Sequence, residues 1–307
     1  MRQCSRMTPE RCRADTRPVD REEEWIRAHV EPTGPKVVVR ERVWATTWRL
    51  PTTEGVVWFK ASAATHRFEA ELVPLLAAGW PDLLPSVVAE DAERGWLLLA
   101  DAGTPFETFG NPPELWLKLL PAYGALQRDA IVPVTVPDRT LGRWPELYDD
   151  LLNSELPLTT SEVEQLRRFA PRFAELCEEL AAYGLPAAIQ HDDLHHRNAY
   201  VDGHRLRIID WGDSSRSHPF ASLAVTFRFL EERNGLPSDD PWFATLRDAY
   251  LEPWGVGLTD AFNLAQRLGR FAHTFGWVAL RRLLPEGARS PYDIPFQVVL
   301  RRALAHA

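Results

Sequence analysis

The pattern of apolar and polar residues predicts a strand-rich first third of the chain. Short apolar runs separated by turn signals indicate an antiparallel meander, with a candidate turn at 44–48 leading into its second strand and a clear turn at 52–55. Apolar residues at helical spacing predict one main helix over 64–78. The other elements predicted here are strands at 36–43, 56–60, 86–90 and 95–100, and a short helix at 20–30.

Beyond a loop at 101–105 the apolar positions recur at helical spacing almost throughout. A sheet-rich unit followed by helices predicts an α+β fold with two lobes. We place a flexible tail at 1–18, an N-lobe at 19–101 and a C-lobe at 102–307. The predicted helices of the C-lobe cover 112–129, 144–152, 160–183, 219–233, 239–251, 259–284 and 292–304, and its only strand signals lie at 187–190, 199–202 and 205–209.

The composition is ordinary for a globular protein, and it narrows the class of partner. No run of about eighteen apolar residues occurs, so no transmembrane helix is expected. The three cysteines are odd in number and lack metal-site spacing, which favours the reducing cytoplasm. Residues 101–307 carry 21 basic against 28 acidic side chains, which argues against a nucleic-acid partner and favours a cationic small molecule.

Three oxygen-bearing side chains stand out in the stretch 189–213. Asp193 lies in a polar loop, Asn198 follows five residues later, and Asp210 comes directly after the apolar run L-R-I-I. A charge at the end of a buried strand needs a partner or a metal ion. Carboxylate and amide oxygens are hard ligands of the kind that Mg²⁺ prefers, and a further carboxylate could orient a hydroxyl and take its proton. The spacing therefore indicates phosphoryl transfer.

A lysine and a glutamate of the first third complete the set that a nucleoside triphosphate requires. Only three lysines occur, against 32 arginines, and Lys60 ends the third predicted strand. Glu69 shares the inward face of the following helix with Leu72 and Val73. We expect Lys60 to bind the phosphates and Glu69 to hold Lys60 in place.

The histidines of the loop raise the alternative of a transition-metal hydrolase. His191, Asp193 and His195 alternate, and His196 is adjacent. Such a site needs further ligands at defined spacings, and the chain has no H-x-H-x-D-H, no H-E-x-x-H and no cysteine near the loop. We therefore interpret His191 as a residue packed beneath the loop and hydrogen-bonded to backbone, and the other two as local structure.

The motifs H-D-D-L-H-H-R-N and I-I-D-W-G-D strongly resemble those of the aminoglycoside phosphotransferase family, a branch of the protein-kinase-like fold. The resemblance covers roughly residues 36–280. It implies that Asp193 is the catalytic aspartate and that Asn198 and Asp210 bind magnesium. V-V-W-F-K-A matches the family's strand with its lysine, Lys60, and F-E-A-E-L-V-P-L-L matches the helix with its glutamate, Glu69.

The resemblance also implies where the substrates bind. ATP would lie between the lobes, with its adenine against Leu99 and the linker around Asp101, and its phosphates near the first hairpin, where Thr46 or Thr47 would meet them. GTP stays open as an alternative, because that hairpin has no glycine-rich loop. The acceptor would be a small-molecule hydroxyl bound among residues 213–300. Members of the family act on aminoglycosides, which makes antibiotic resistance one expected role, and relatives act on choline, homoserine, macrolides and sugars.

Two departures from the family pattern support a second hypothesis. Asp192 stands where the family has glycine, and His218 and Ser222 replace the aspartates of a D-P-x-x-D motif. A nucleotide-binding pseudokinase that regulates a partner would tolerate both changes. Against it, a protein without catalysis has no chemical need for the four residues at positions 60, 193, 198 and 210. The acidic C-lobe favours an amine-bearing acceptor, and the oligomeric state cannot be read from the sequence.

Overall fold

An antiparallel sheet of five strands forms the first part of the molecule. The computed structural model describes residues 21–282, 284 and 293–305, so the predicted tail at 1–18 lies outside the described residues. The strand order is β1-β2-β3-β5-β4, and each neighbour pair is antiparallel. The strands are β1 (Val37–Glu41), β2 (Ala45–Thr52), β3 (Gly55–Ser62), β4 (Val87–Asp91) and β5 (Trp96–Ala100).

Two helices flank this sheet, one on each face, and each helix packs into a different hydrophobic core. Helix α1 (Arg21–His29) buries Ile26 against one face, where Phe59 and Leu98 are fully buried. Helix α2 (Glu69–Gly79) packs on the other side, and its apolar residues join Leu97 in a second, larger core. Because successive strand residues point to opposite faces, Leu97 and Leu98 belong to different cores.

The larger core continues into the helices that make up the rest of the molecule. It includes Trp116, Trp144 and Trp211, each at most 1% exposed. Shared burial of this kind joins the sheet to the helical part through α2. The helices are α3 (Pro113–Asp129), α4 (Trp144–Leu152), α5 (Thr160–Ala181), α6 (Leu223–Asn234), α7 (Pro241–Leu251), α8 (Thr259–Arg281) and α9 (Asp293–Leu304).

Short strands within the helical part hold the loop that the motifs singled out. The predicted hairpin is present, and a strand from the linker region extends it to the order β10-β9-β6. A second small sheet has the order β7-β11-β8. The strands are β6 (Thr104–Pro105), β7 (Asp138–Arg139), β8 (Ala188–Gln190), β9 (Ala199–Asp202), β10 (Arg205–Ile208) and β11 (Ser215–Ser217). The sequence did not predict β6, β7 or β11, because two or three residues are too few to show a period.

The predicted turn at 44–48 is wrong. Residues 45–52 form β2, with Ala45, Trp48 and Leu50 buried, and the chain instead turns at 42–44, where the Arg42 amide donates to the Ala45 carbonyl at 2.9 Å. No glycine, proline or asparagine marks the true turn, and the β-branched residues Thr46 and Thr47 favour the extended strand that they adopt.

Every predicted helix is present, but α2 and α6 begin at a later residue than predicted. Helix α2 starts at Glu69 because residues 64–68 form turns, and α6 starts at Leu223, four residues after the predicted start. A five-stranded antiparallel sheet followed by a mainly helical part is the predicted α+β architecture, which is confirmed. Among the described residues, no helix has the length and apolar character needed to cross a bilayer.

Gly103 connects the linker to the β9–β10 hairpin, and we predict that Gly103→Ala destabilises the protein. Its φ is +98°, and a Cβ atom there would lie 2.2 Å from the Val201 carbonyl oxygen. Strain and steric clash together should lower the free energy of unfolding by roughly 2 kcal/mol or more, measured by urea denaturation.

Gly110→Ala is the matched control, because Gly110 has a φ of +80° and no atom within 4 Å of the added Cβ. That substitution should lower the free energy of unfolding by only about 1 kcal/mol, the strain of an alanine in the left-handed conformation. Equal losses in the two variants would contradict the proposed clash with Val201.

Candidate active site

His191 fixes the loop between β8 and β9 from below. Its Nε2 atom donates to the Ile209 carbonyl at 2.8 Å, and its Nδ1 atom accepts from the Asp193 amide at 3.3 Å. Burial lowers the pKa of this imidazole, which is consistent with the neutral ring that these two bonds require. Both ring nitrogens are used, as the sequence interpretation expected, so neither is available to a transition metal.

Asp193 lies in the loop that His191 supports. The Asn198 side-chain amide donates to the Asp193 carbonyl at 2.9 Å and to its Oδ2 atom at 3.3 Å, and His195 Nε2 lies 3.4 Å from the same carboxylate. Burial alone would raise the pKa of Asp193, but the charge and hydrogen bond of His195 bring it below the ordinary value. Asp193 is therefore an ionised carboxylate whose position two side chains define.

Asp210 stands two residues after β10 in a left-handed backbone conformation, with a φ of +66°. Its Oδ1 atom lies 2.5 Å from Lys60 Nζ, and its Oδ2 atom accepts from Arg40 Nη1 at 3.2 Å. Burial would raise the pKa of Asp210, but Lys60 and Arg40 hold it well below its usual range. The carboxylate thus links the helical part of the protein to two strands of the first sheet.

Lys60 is held from its other side by Glu69. The Lys60 Nζ to Glu69 Oε2 distance is 2.7 Å, and Glu69 is only 2% exposed. Burial would lower the pKa of the lysine, but Asp210 and Glu69 together raise it above its ordinary value. Gly212 allows this close approach, because a Cβ atom there would come within 3.1 Å of Glu69 Oε2 and 3.3 Å of Lys60 Nζ.

The structure places the other predicted nucleotide contacts on the same sheet. Thr47 lies opposite Lys60, and Thr46 opposite Ala61, both on β2. Leu99 is partly buried on β5. Both oxygens of Asp101 are engaged locally, one with Trp58 Nε1 at 2.9 Å and one with the Gly103 amide at 2.7 Å. Its side chain therefore orders the linker.

Arg40 is a site residue that the sequence analysis missed. It is an exposed arginine on the edge strand β1, and its guanidinium reaches Asp210 across 170 residues of sequence. With 32 arginines in the chain, nothing in the local sequence distinguishes this one. Only the pairing of β1 with β2 brings it over the loop that follows β10.

Asp192 is neutralised by Arg139, which the sequence analysis also missed. Its carboxylate accepts from Arg139 Nη1 at 3.0 Å and from the Ser215 hydroxyl, and its φ is +60°. Burial raises the pKa of Asp192, and Arg139 opposes that rise. Gly276 leaves room for the guanidinium, since a Cβ atom there would lie 3.0 Å from Arg139 Nη2. The extra charge in the loop is therefore paired inside the protein.

Neutral side chains hold the loop at the place where the family's aspartates are absent. Ser222 Oγ and the Tyr123 hydroxyl share a hydrogen bond of 3.1 Å, and that hydroxyl accepts from the His191 amide at 3.1 Å. Thr226 Oγ1 donates to the Leu194 carbonyl at 2.7 Å, and Gln127 Nε2 donates to the Ile189 carbonyl at 3.0 Å. Buried hydroxyls and an amide can fix a backbone as a carboxylate does, without the cost of burying a charge.

A sequence profile of the phosphotransferase enzyme family matches residues 40–265, well over half of the chain. The chain belongs to this family. The family that the motifs predicted is confirmed, and so is the class of enzyme, a phosphotransferase. No curated protein gives a significant sequence match to this phosphotransferase.

Solved structures resemble the phosphotransferase over nearly its whole length. A choline/ethanolamine kinase family protein from Mesorhizobium loti superposes with a TM-score of 0.63 at 18% identity, over 92% of this chain and 98% of its own. The choline kinase LicA from Streptococcus pneumoniae superposes with a TM-score of 0.64 at 16% identity, over 94% of this chain and 100% of its own. A spectinomycin phosphotransferase in complex with ADP and spectinomycin superposes with a TM-score of 0.58 at 14% identity, over 94% of this chain and 99% of its own. At these identities the likeness establishes the two-lobed kinase-like fold alone.

We predict that Arg139→Leu destabilises the phosphotransferase by about 3–5 kcal/mol, because it leaves Asp192 buried without its partner. Adding Asp192→Gly should restore most of this loss, since glycine removes the orphaned charge and favours the positive φ. Denaturant unfolding of the two single variants and the double variant measures the effect. Arg143→Leu, which removes an exposed arginine paired with Glu146, should change stability by less than about 1 kcal/mol. A double variant no more stable than Arg139→Leu would refute the pairing argument.

We also predict a loss of stability between pH 6.5 and 4. Burial lowers the pKa of four histidines, His66, His196, His218 and His273, to about 4. Below pH 6.5 these imidazole rings bind protons in the unfolded chain but stay neutral in the folded chain. The free energy of unfolding therefore decreases as the pH falls.

His218→Gln should reduce this pH dependence by up to about 1.4 kcal/mol per pH unit, which is the contribution of one proton. Urea unfolding at several pH values provides the measurement. His204→Gln, at an exposed position of the β9–β10 turn, should leave the slope as it is. An identical slope in wild type and His218→Gln would contradict the prediction.

Proposed function

We propose that this phosphotransferase transfers the γ-phosphoryl group of ATP to the hydroxyl of a small molecule, with Asp193 orienting that hydroxyl and accepting its proton. The observation that carries the proposal is the meeting of two groups of residues. Lys60 of β3, which Glu69 of α2 holds, contacts Asp210, and the hairpin that leads to Asp210 begins directly after Asn198, which donates to Asp193. Phosphate-binding and acceptor-binding side chains thus share one site.

The nucleotide would lie between the sheet and the helical part. Lys60 presents a charged ammonium group that Glu69 prevents from turning away, as binding of the inner phosphates requires. Arg40 adds a second cation beside Asp210, and the adenine would pack near Leu99 on β5. The spectinomycin phosphotransferase of similar fold binds ADP, which supports an adenine nucleotide. GTP is the alternative for the same phosphate contacts.

The residues present fit a magnesium ion. The Asn198 nitrogen is directed at Asp193, so its side-chain oxygen remains for a cation, and the Asp210 carboxylate is a strong hard donor. When bound, magnesium neutralises charge on the transferring phosphates. Lys60 and Arg40 contact the Asp210 carboxylate and compensate its charge. Asp210 would hold the ion with this same carboxylate, together with the side-chain oxygen of Asn198.

Asp193 would act by position more than by basicity. Its pKa is below the ordinary value, so it is ionised at neutral pH and can accept a hydrogen bond from the acceptor hydroxyl. The hydroxyl proton becomes acidic only as the bond to phosphorus forms, and a weak base can take it at that stage. Asn198 and His195 keep the carboxylate in one orientation while this happens.

Both departures from the family pattern that motivated the pseudokinase hypothesis have a structural counterpart. Arg139 pairs the charge of Asp192, and neutral hydrogen bonds replace the missing aspartates. Neither departure alters the surroundings of Asp193, so we favour the enzyme. We propose the cytoplasm as its location, from the cysteine content and the buried, free Cys177. An amine-bearing acceptor and a role in antibiotic resistance stay predictions.

Asp193→Asn should lower kcat by about 10²- to 10⁴-fold, because the amide cannot take the hydroxyl proton. Nucleotide affinity should change less than twofold, since Lys60, Asn198 and Asp210 are untouched. Product formation by mass spectrometry and titration with ATP and magnesium separate the two effects. Asp149→Asn, at an exposed position of α4, serves as the matched control. Turnover that survives Asp193→Asn unchanged would refute the assigned role.

A further inference from the structure

A cleft of about 480 Å³ opens beside the catalytic loop, between α6, α7, α8 and α9. Its volume lies within the range of small-molecule sites. Phe227, Phe243 and Phe262 form an aromatic floor, with ring centroids 5.1 and 5.9 Å apart around Phe227. His273 lines the cleft, and together with Asp192 of the loop it also lines a second, much smaller pocket.

His273 brings an unsatisfied ring nitrogen to this end of the cleft. Its Nε2 atom is buried and has no hydrogen-bond partner among the described residues. The ring is neutral at physiological pH, since burial lowers its pKa to about 4. A buried ring nitrogen without a partner calls for a polar group such as a hydroxyl, which can donate or accept.

Two arginines line the cleft near the same end. Arg228 carries a side chain that is only 15% exposed, and it lies close enough to Asp193 for the two charges to interact. Its Nη1 atom donates to Glu232 Oε2 at 3.2 Å, which leaves its other donors for a ligand. Arg270 precedes His273 by three residues on α8, and its Nη1 atom is buried without an acceptor in the part of the chain that the structure describes. The carboxylate of Glu231, whose charge acts on Arg270, is already bound by Arg302.

The lining as a whole has more cationic than anionic groups. Five arginines line the cleft against three carboxylates. Of those carboxylates, Glu231 pairs with Arg302 and Asp240 caps α7 by accepting from the Trp242 amide at 2.9 Å. Arg228 and Arg247 are paired as well, with Glu232 and Asp248, so the unused buried donor among the described residues is that of Arg270. A buried guanidinium donor without an acceptor is costly, and a planar oxyanion is its best complement.

We propose that the acceptor carries an oxyanion, a carboxylate or a phosphate, which binds Arg270 and Arg228 while one hydroxyl forms a hydrogen bond with His273 Nε2 and another is presented to Asp193. This inference rests on the proposed phosphoryl transfer and specifies its substrate class. It is opposite in sign to the amine-bearing acceptor that the net charge of residues 101–307 favoured.

The difference arises because net charge is a poor guide to one cleft. Many acids of the second half lie on outer helix surfaces, as Glu175 and Glu179 do on α5, where both pair with Arg172. Exposed charges act weakly beyond a Debye length of about 8–10 Å. The nearest charges, which are the guanidinium groups, decide what the cleft attracts.

Matched acceptors that differ in one group test the proposal. Gluconate, sorbitol and glucamine present the same chain of hydroxyls with a carboxylate, a neutral group and an amine, respectively. Glycerate, glycerol and glycerol 3-phosphate form a smaller set, with a carboxylate, a neutral group and a phosphate. We expect kcat/KM to be at least tenfold higher for an anionic member of a set than for its neutral and amine partners. The carboxylate and phosphate members distinguish the two oxyanions.

Arg270→Gln should lower kcat/KM for the preferred anion by about 10- to 100-fold, as expected for a lost charged hydrogen bond, and change it less than twofold for the neutral partner. Arg168→Gln, at an exposed arginine of α5 whose side chain is 69% exposed, is the matched control. Thermal shift of the full chain with each compound, without nucleotide, measures binding independently of turnover. We expect anions to stabilise the wild type and the Arg168→Gln variant more than the Arg270→Gln variant.

The outcomes separate this inference from the proposed function. Asp193-dependent turnover that prefers sorbitol or glucamine would overturn the oxyanion proposal and leave the kinase assignment intact. Anions that shift wild type and Arg270→Gln equally would also overturn it, whether or not any compound is phosphorylated. Anion binding that depends on Arg270, together with turnover that ignores Asp193, would support the site and refute the proposed catalytic role.

Discussion

The arrangement of the site depends on one ionic contact, in which Lys60 lies between Glu69 and Asp210. Each group would be costly to bury alone, because a charge removed from water needs a partner of opposite sign. Lys60 therefore ties α2 and β3 to the loop after β10, and Gly212 provides the close approach that this requires. The same three residues that join the two parts of the molecule are those that nucleotide phosphates and their metal ion would engage.

The loop that carries Asp193 shows how one family can vary its supports and keep its reactive groups. A glycine would normally occupy the left-handed position held here by Asp192, and its side chain brings a charge that must be neutralised inside the protein. Arg139, from a two-residue strand, supplies that charge, and the neutral network through Tyr123 and Thr226 fixes the backbone on both sides. The supports are specific to this chain, while the geometry around Asp193 needs only Asn198 and His195.

At the cleft between the C-terminal helices, the charge of the lining is opposite in sign to the net charge of the chain. The chain is acidic, yet the side chains around the cleft include five guanidinium groups, and one of them, Arg270, has a buried donor without an acceptor among the described residues. Helical spacing puts Arg270 and His273 on one face of α8, and the fold turns that face toward the catalytic loop. The electrostatic field within the cleft is determined by the charged side chains a few ångströms away and not by the net charge of the whole chain.

The sequence predicted the central residues of the candidate site, because phosphoryl transfer would require particular residue types and most of these lie at short spacings. Asp193, Asn198 and Asp210 lie within eighteen residues, and Lys60 was conspicuous among so few lysines. Strong helical periods likewise located the helices, although their first turns were not marked. The tertiary structure alone decided the long-range partners: Arg40, Arg139 and Arg270 are three of 32 arginines, and no local pattern distinguishes them. Their roles follow from burial and from which carboxylate or cleft the fold brings within reach, and neither property is encoded by neighbours along the chain.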